Sequence, residues 1–326
     1  MYKLSSFFLA GSLLVVAGCS DSSLTNGNSS PKLDAASQRK CGSMEVLSEQ
    51  LAADPTLQSR LDAIENHTQK FIAAGESAMR LVNGKIQIPV VVNVIYNTAA
   101  ENISDAQIQS QIDVLNEDYH ATNSDFSKTP SIFSGVAANY DISFVLIATN
   151  RKHSTKTSWR TNDDMKKSKR GGIDPTDPAH NLNLWVVNSM TGGVLGYAQF
   201  PGGAPATDGV VIGYNYFGRV GVVSPPYHLG RTATHEVGHW LNLRHIWGDA
   251  NCGSDLVNDT PVAQTSNFGC PTFPHVSACG TDHHAEMTMN YMDYTDDACM
   301  YMFSQGQKAR SMAIFAAGGA RAAIGQ

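Results

Sequence analysis

The chain has 326 residues, too many for one small module and enough for a tether followed by one or two packed units. Apolar residues make up 42% and aromatic residues 8%, which suffices for a packed core. A net charge of -6 with a pI near 6.0 excludes nucleic acid as the main partner, because a polyanion binder carries a basic face.

At the N-terminus, Lys3 supplies a positive n-region and Phe7 to Gly18 form an apolar run. The run is shorter than the roughly 20 apolar residues a bilayer span needs, so residues 1–18 read as a signal peptide. Val16-Ala17-Gly18-Cys19 resembles a bacterial lipobox, which makes Cys19 the expected lipidated N-terminus. Ordinary signal cleavage nearby is the alternative. Residues 19–40 form a flexible tether, since the Ser/Asn/Gly stretch from Ser20 to Pro31 cannot build a core. The expected location is outside the cytoplasm: lipid-anchored at the bacterial outer membrane or cell surface, or released after processing.

Leu57, Leu61, Ile64, Thr68, Phe71 and Ile72 then recur at helical spacing until Gly75 and Asn83-Gly84 break the pattern. A helical segment over about 41–75 is too small to be stable alone and must pack on something larger. Ile86 to Tyr96 is a β-branched run that predicts a buried strand. Ser104 caps a following helix with Ile108, Ile112 and Leu115 on one face. Ile142 to Ile147 and Leu182 to Val187 read as further strands, so the larger unit is α/β, built on a twisted sheet. Residues 151–170 hold eight Lys or Arg, interrupted by Asp163 and Asp164, and read as a solvated loop.

The decisive segment is His235-Glu236-Val237-Gly238-His239-Trp240-Leu241-Asn242-Leu243-Arg244-His245. Residues four apart share a helix face, so His235 and His239 present two imidazoles to one zinc, with Glu236 beside them as the base. His245 is the expected third ligand, which requires the chain to leave the helix sharply near Asn242. Three nitrogen ligands keep a fourth zinc position for water. Asn242 stands where glycine is usual, and asparagine is the side chain that best tolerates positive φ. Downstream, Asn290-Tyr291-Met292-Asp293-Tyr294 looks like a Met-turn, with Met292 under the metal and the Tyr294 hydroxyl near enough to stabilise an oxyanion. Cys252, Cys270, Cys279 and Cys299 allow three disulfide pairings, and Cys41 stands alone far upstream.

These residues resemble the pappalysins, metzincin proteases that include ulilysin-like and cytophagalysin-type enzymes of bacteria. The likeness extends through Ser158-Trp159, Thr161 to Lys166, Gly171 to Pro175, Leu195 to Pro201, the zinc helix, Asp259-Thr260-Pro261 and the Met-turn. It implies a metzincin-like fold: an upper subdomain of twisted sheet and helices, a zinc helix, and an irregular lower subdomain stapled by disulfides. It further implies a zymogen, with residues 41–83 as prosegment and 84–326 as catalytic domain. Arg39-Lys40-Cys41-Gly42 looks like a cysteine switch in which Cys41 holds zinc in the latent form. The family pairing is Cys252–Cys279 and Cys270–Cys299, and calcium is implied at Asp255, Asp259 and Thr260. Relatives that favour arginine after the cleaved bond use an acid in the specificity pocket. Asp296 and Asp297 lie in that region, with Ala298 directly before Cys299, and Met79-Arg80 matches a self-cleavage bond.

The expected function is therefore a secreted, monomeric zinc endopeptidase acting on protein or peptide substrates, with a membrane involved only through the lipid. Two other readings remain at this point. One is a zinc hydrolase outside the metzincins with a downstream glutamate as third ligand. The other is a non-catalytic zinc-containing surface lipoprotein, an adhesion or binding module.

Overall fold

In the computed structural model, residues 38–75 and 86–324 are described, all within the compact unit Ala35–Gln326. The expected signal peptide, Cys19 and the Met79-Arg80 bond lie outside the described residues.

Five strands make one sheet: β1 (Ile86–Tyr96), β2 (Ile142–His153), β3 (Leu182–Val187), β4 (Gly196–Ala198) and β5 (Val210–Gly213), in the order β2-β1-β3-β5-β4. Only β4 runs antiparallel to its neighbour, and it forms an edge. The centre of the sheet is apolar on both faces, as parallel strands covered on two sides require. Ile88, Val90, Val92 and Val94 enter the main core, while Ile95, Trp185, Val187 and Val211 face a second cluster with Trp159, Met165 and Tyr197.

Six α-helices accompany the sheet among the described residues: α1 (Ser43–Ala53), α2 (Leu57–Ala74), α3 (Asp105–Tyr119), α4 (Ser131–Ser134), α5 (Arg231–Trp240) and α6 (Gln305–Met312). The Ser104 side chain accepts from Gln107 N at the start of α3, and Ile108, Ile112 and Leu115 bury against the sheet. Behind α3 lies α5, every residue of which is buried. α1 and α2 pack on β4 and on α6 with the turn after it, so the upstream helices do rest on the larger unit.

The lysine-rich stretch is not the solvated loop its charge suggests. β2 continues through His153, and Lys166 is fully buried. Its ammonium donates to Thr207 O at 2.7 Å, pairs with Asp163 at 2.9 Å, and lies 4.9 Å from the Tyr197 ring centroid. Asp163 also accepts from the Tyr197 hydroxyl at 2.9 Å. A buried ammonium is tolerable when its proton donors are all directed at acceptors of this kind.

Below the cleft the chain has little regular structure. Disulfides Cys252–Cys279 and Cys270–Cys299 close loops there with sequence separations of 27 and 29. Cys41 is a free, buried thiol.

Candidate active site

The site is assembled by α5 and the turn that ends it. Gly230 (φ 82) precedes the helix, and the Asp297 carboxylate accepts from Leu229 N at 2.8 Å and Arg231 N at 3.3 Å, satisfying donors at its N-terminus. At the other end Asn242 takes φ 74, and Leu243 N returns to Gly238 O at 2.9 Å. This left-handed turn folds the chain back so that His245 faces His235 and His239. The Asn242 carbonyl accepts from Arg310 Nε at 2.8 Å, which fixes the turn from α6.

Each imidazole is oriented by a bond at Nδ1. His235 Nδ1 lies 2.7 Å from Tyr291 O, His239 Nδ1 is 2.8 Å from Leu243 O, and His245 Nδ1 is 2.5 Å from Asp249 Oδ1. Carbonyl and carboxylate oxygens only accept, so all three Nδ1 atoms carry the proton and all three Nε2 atoms present lone pairs. These lone pairs converge: His239 Nε2 is 3.2 Å from His235 Nε2 and 3.1 Å from His245 Nε2. Burial and the neighbouring imidazoles push His235 and His239 well below the ordinary histidine pKa, keeping them neutral. Three unprotonated nitrogens in a dry space repel one another unless a cation lies between them, and the donor set fits zinc. Trp247 stacks on His245 at 4.3 Å between ring centroids, and Tyr294 stands edge-on to His245 at 4.9 Å.

Cys41 completes the cluster. Among the described residues, Cys41, His235, His239 and His245 form the group able to hold a metal ion, their ligand atoms within 4.8 Å of one another. The segment carrying Cys41 reaches this point by pairing with the edge strand: Gly42 N donates to Gly196 O and Leu195 N to Lys40 O, both at 2.9 Å. The Cys41 thiol donates to Glu236 Oε2 at 3.3 Å and the Ser43 hydroxyl donates to the same atom at 2.8 Å. Burial lifts the Glu236 carboxyl to about 7 against the opposing pull of those bonds and of Arg39. Burial and the charges of Cys41 and Glu236 raise Tyr294 strongly.

The acids singled out near the cleft have distinct partners. Asp297 is fully buried and receives the Arg39 guanidinium at 2.5 Å, while Arg39 also donates to Thr295 O and the Thr232 hydroxyl. Asp296 is partly exposed and donates its own N–H to Gly269 O. Thr260 donates its hydroxyl to Asp255 at 2.7 Å, and Asp259 accepts from Ser304 Oγ and Gly306 N at the start of α6. Met292 lies beneath Gly238 of α5, fully buried. Sequence reasoning missed Ser43, Asp249, Trp247 and Arg310. Asp249 carried a signal, an acid one helical turn past the third histidine, whereas the long-range partners carried none.

A sheet whose edge strand borders a cleft, a helix bearing two histidines and an adjacent glutamate, and a third histidine after a left-handed turn together define a zinc metalloendopeptidase. A family model described as pregnancy-associated plasma protein-A, peptidase family M43, matches residues 168–316. An extracellular metalloprotease of Pyricularia oryzae is 33% identical over 291 residues, covering 85% of this chain and 88% of that protein. Mature mirolysin of Tannerella forsythia in complex with a cleaved peptide is similar in structure, with TM-score 0.72, 46% identity, and 74% and 96% of the two chains covered. A promirolysin variant of the same organism matches with TM-score 0.78 and 42% identity over 88% of this chain and 97% of its own. The chain belongs to the M43 peptidases, the pappalysin family of metzincins.

Proposed function

We propose that this chain is an exported zymogen in which His235, His239 and His245 are the zinc ligands, Glu236 is the general base and acid, and Cys41 blocks the fourth position. The observation that carries the assignment is the convergence of three lone-pair-bearing Nε2 atoms within 3.2 Å in a buried space. When bound, the zinc ion supplies Lewis acidity and a water acidified to a pKa of about 7.

The chain's own residues do the rest. Once residues 38–75 have left, β4 is an open edge with free donors and acceptors, and a substrate strand pairs with it. Glu236, freed from Ser43 and Cys41, takes the proton of the attacking water and delivers it to the leaving amine. The Tyr294 hydroxyl, kept protonated by its surroundings, donates to the oxyanion. Met292 forms the apolar floor under α5.

Asp297 is the specificity acid in this reading, and arginine is the side chain it takes after the cleaved bond. The support is Arg39 itself, a guanidinium held by Asp297, Thr295 O and the Thr232 hydroxyl two residues before the blocking cysteine. Asp296 contributes the rim. The extracellular naming of the fungal relatives supports export. The lipid on Cys19 as anchor, a monomeric state, and the boundaries 1–18, 19–40, 41–83 and 84–326 rest on the sequence alone, with the docked stretch already including Arg39 and Lys40. Calcium at Asp255, Asp259 and Thr260 would have to displace bonds that these side chains already make within the chain.

Casein digestion by the zymogen, the activated form and Glu236→Ala tests this reading, with cut sites read by mass spectrometry. Activity confined to the activated form, lost with Glu236 and directed before arginine, is the expected result. Zinc binding without proteolysis in any form would instead favour a binding module.

A further inference from the structure

The prosegment holds the catalytic unit at a second surface, away from the metal ligands. α2 lies across α6 and the turn that follows it. Glu65 forms a two-pronged ion pair with the buried Arg310, at 2.6 and 3.1 Å. His67 Nε2 lies 3.0 Å from Ala313 O, and Arg60 Nε donates to Gly202 O at 2.7 Å. Phe71 is buried in the main core cluster. Beside α2 the groove continues as a cavity of about 850 Å³ bordered by Ile64, Pro205, Ala323 and Ile324.

We infer that this face is a docking site for an amphipathic helix carrying a glutamate opposite Arg310, and that its occupant after maturation is the severed prosegment, which stays bound and inhibits in trans. The inference rests on the zymogen reading above. Cutting the connection between residues 75 and 86 breaks none of the contacts just described. It only replaces a tethered ligand by a free one at lower effective concentration. The severed piece still carries Arg39 for Asp297, Cys41 for the metal cluster, Ser43 for Glu236, and α2 for Arg310 and the core. Removing it exposes the Arg310 guanidinium without its acid and uncovers the apolar pocket of Phe71. Activity therefore requires α2 to be cut or degraded as well, not merely disconnected.

Two synthetic peptides, 38–75 and the shorter 38–53 that lacks α2, test the inference against the activated enzyme. Binding is read by fluorescence anisotropy on zinc-loaded protein, and inhibition by casein turnover, so binding is scored whatever the turnover. The long peptide is expected to bind at least tenfold tighter than the short one. Glu65→Ala in the long peptide loses about tenfold or more, the scale of a charged hydrogen-bond pair. Cys41→Ser in the long peptide weakens binding without abolishing it. Equal binding by the two peptides, or complete loss with Cys41→Ser, overturns the inference. Casein cutting unaffected by either peptide also overturns it, while leaving the protease assignment standing.

Discussion

Gly238 and Met292 meet where the zinc helix crosses the floor of the site: a Cβ on Gly238 would lie 2.4 Å from the methionine sulfur and 3.3 Å from its terminal carbon. Glycine inside a helix usually costs about 1 kcal/mol relative to alanine. Here the missing methyl is what lets the helix settle onto the thioether, and the histidines descend with it.

Gly238→Ala should therefore destabilise the protein although alanine is the better helix former. Overpacking of this kind costs about 1–3 kcal/mol, more than the propensity gained. Thermal unfolding of the zinc-loaded protein reads the loss. Gly238→Ala with Met292→Ala should recover part of it, and strict additivity of the two single changes would mean that the contact is not the cause.

Ser43 accepts from Ala198 N and donates to Glu236 Oε2, both at 2.8 Å. Replacing it with alanine strands a buried strand amide and loosens the base, a cost of about 1–3 kcal/mol to the latent form alone. The Ser43→Ala zymogen should show roughly 5- to 140-fold higher basal casein turnover than the parent zymogen, with the activated enzymes indistinguishable. An unchanged basal rate would remove Ser43 from the latch.

Asp297→Ala should flatten the preference for arginine in a positional peptide library and, with Arg39 unpaired, weaken latency. The variant also strips Leu229 N and Arg231 N of their acceptor, so its stability should fall. Asp297→Asn keeps an acceptor at the helix start and separates the two effects. A library profile unchanged in both variants would place arginine recognition elsewhere.

Burial lifts Asp293 to about 7, against three bonds from Asn267 and Tyr294. A carboxyl raised in the folded state keeps its proton while the unfolded chain releases it from about pH 4 upward. The native state then binds more protons, so this group subtracts stability progressively between about pH 4 and 7. Asp293→Asn cannot ionise and should lose less stability than the parent as pH rises from 5 to 8. Urea unfolding at both pH values measures the difference, and parallel slopes would exclude Asp293 as the source.

The sequence disclosed what depends on local periodicity. The histidine spacing, the capped helix at Ser104 and the β-branched run from Ile86 were legible because each encodes its own geometry within a few residues. The extent of β2 was underestimated, since Arg151 and Lys152 look like loop residues until their neighbours on β1 are known. Lys166 misled for a related reason. Charge predicts exposure, and only the tertiary fold brings Thr207 O and Asp163 to its ammonium. Arg310, 68 residues beyond the carbonyl it holds, had no signal at all. The residues proposed to do chemistry were readable, and the ones that orient them across the fold were not.

The surroundings that oxidise Cys252 to Cys279 and Cys270 to Cys299 would oxidise any accessible thiol as well. Cys41 escapes because it is 4% exposed, enclosed between the edge strand and the histidine cluster. The segment proposed as prosegment thus acts as a protecting group for its own sulfur, in the sense that organic synthesis gives the phrase. The lifetime of the dormant enzyme outside the cell is then governed by how often this segment lifts off, rather than by the strength of the oxidant around it.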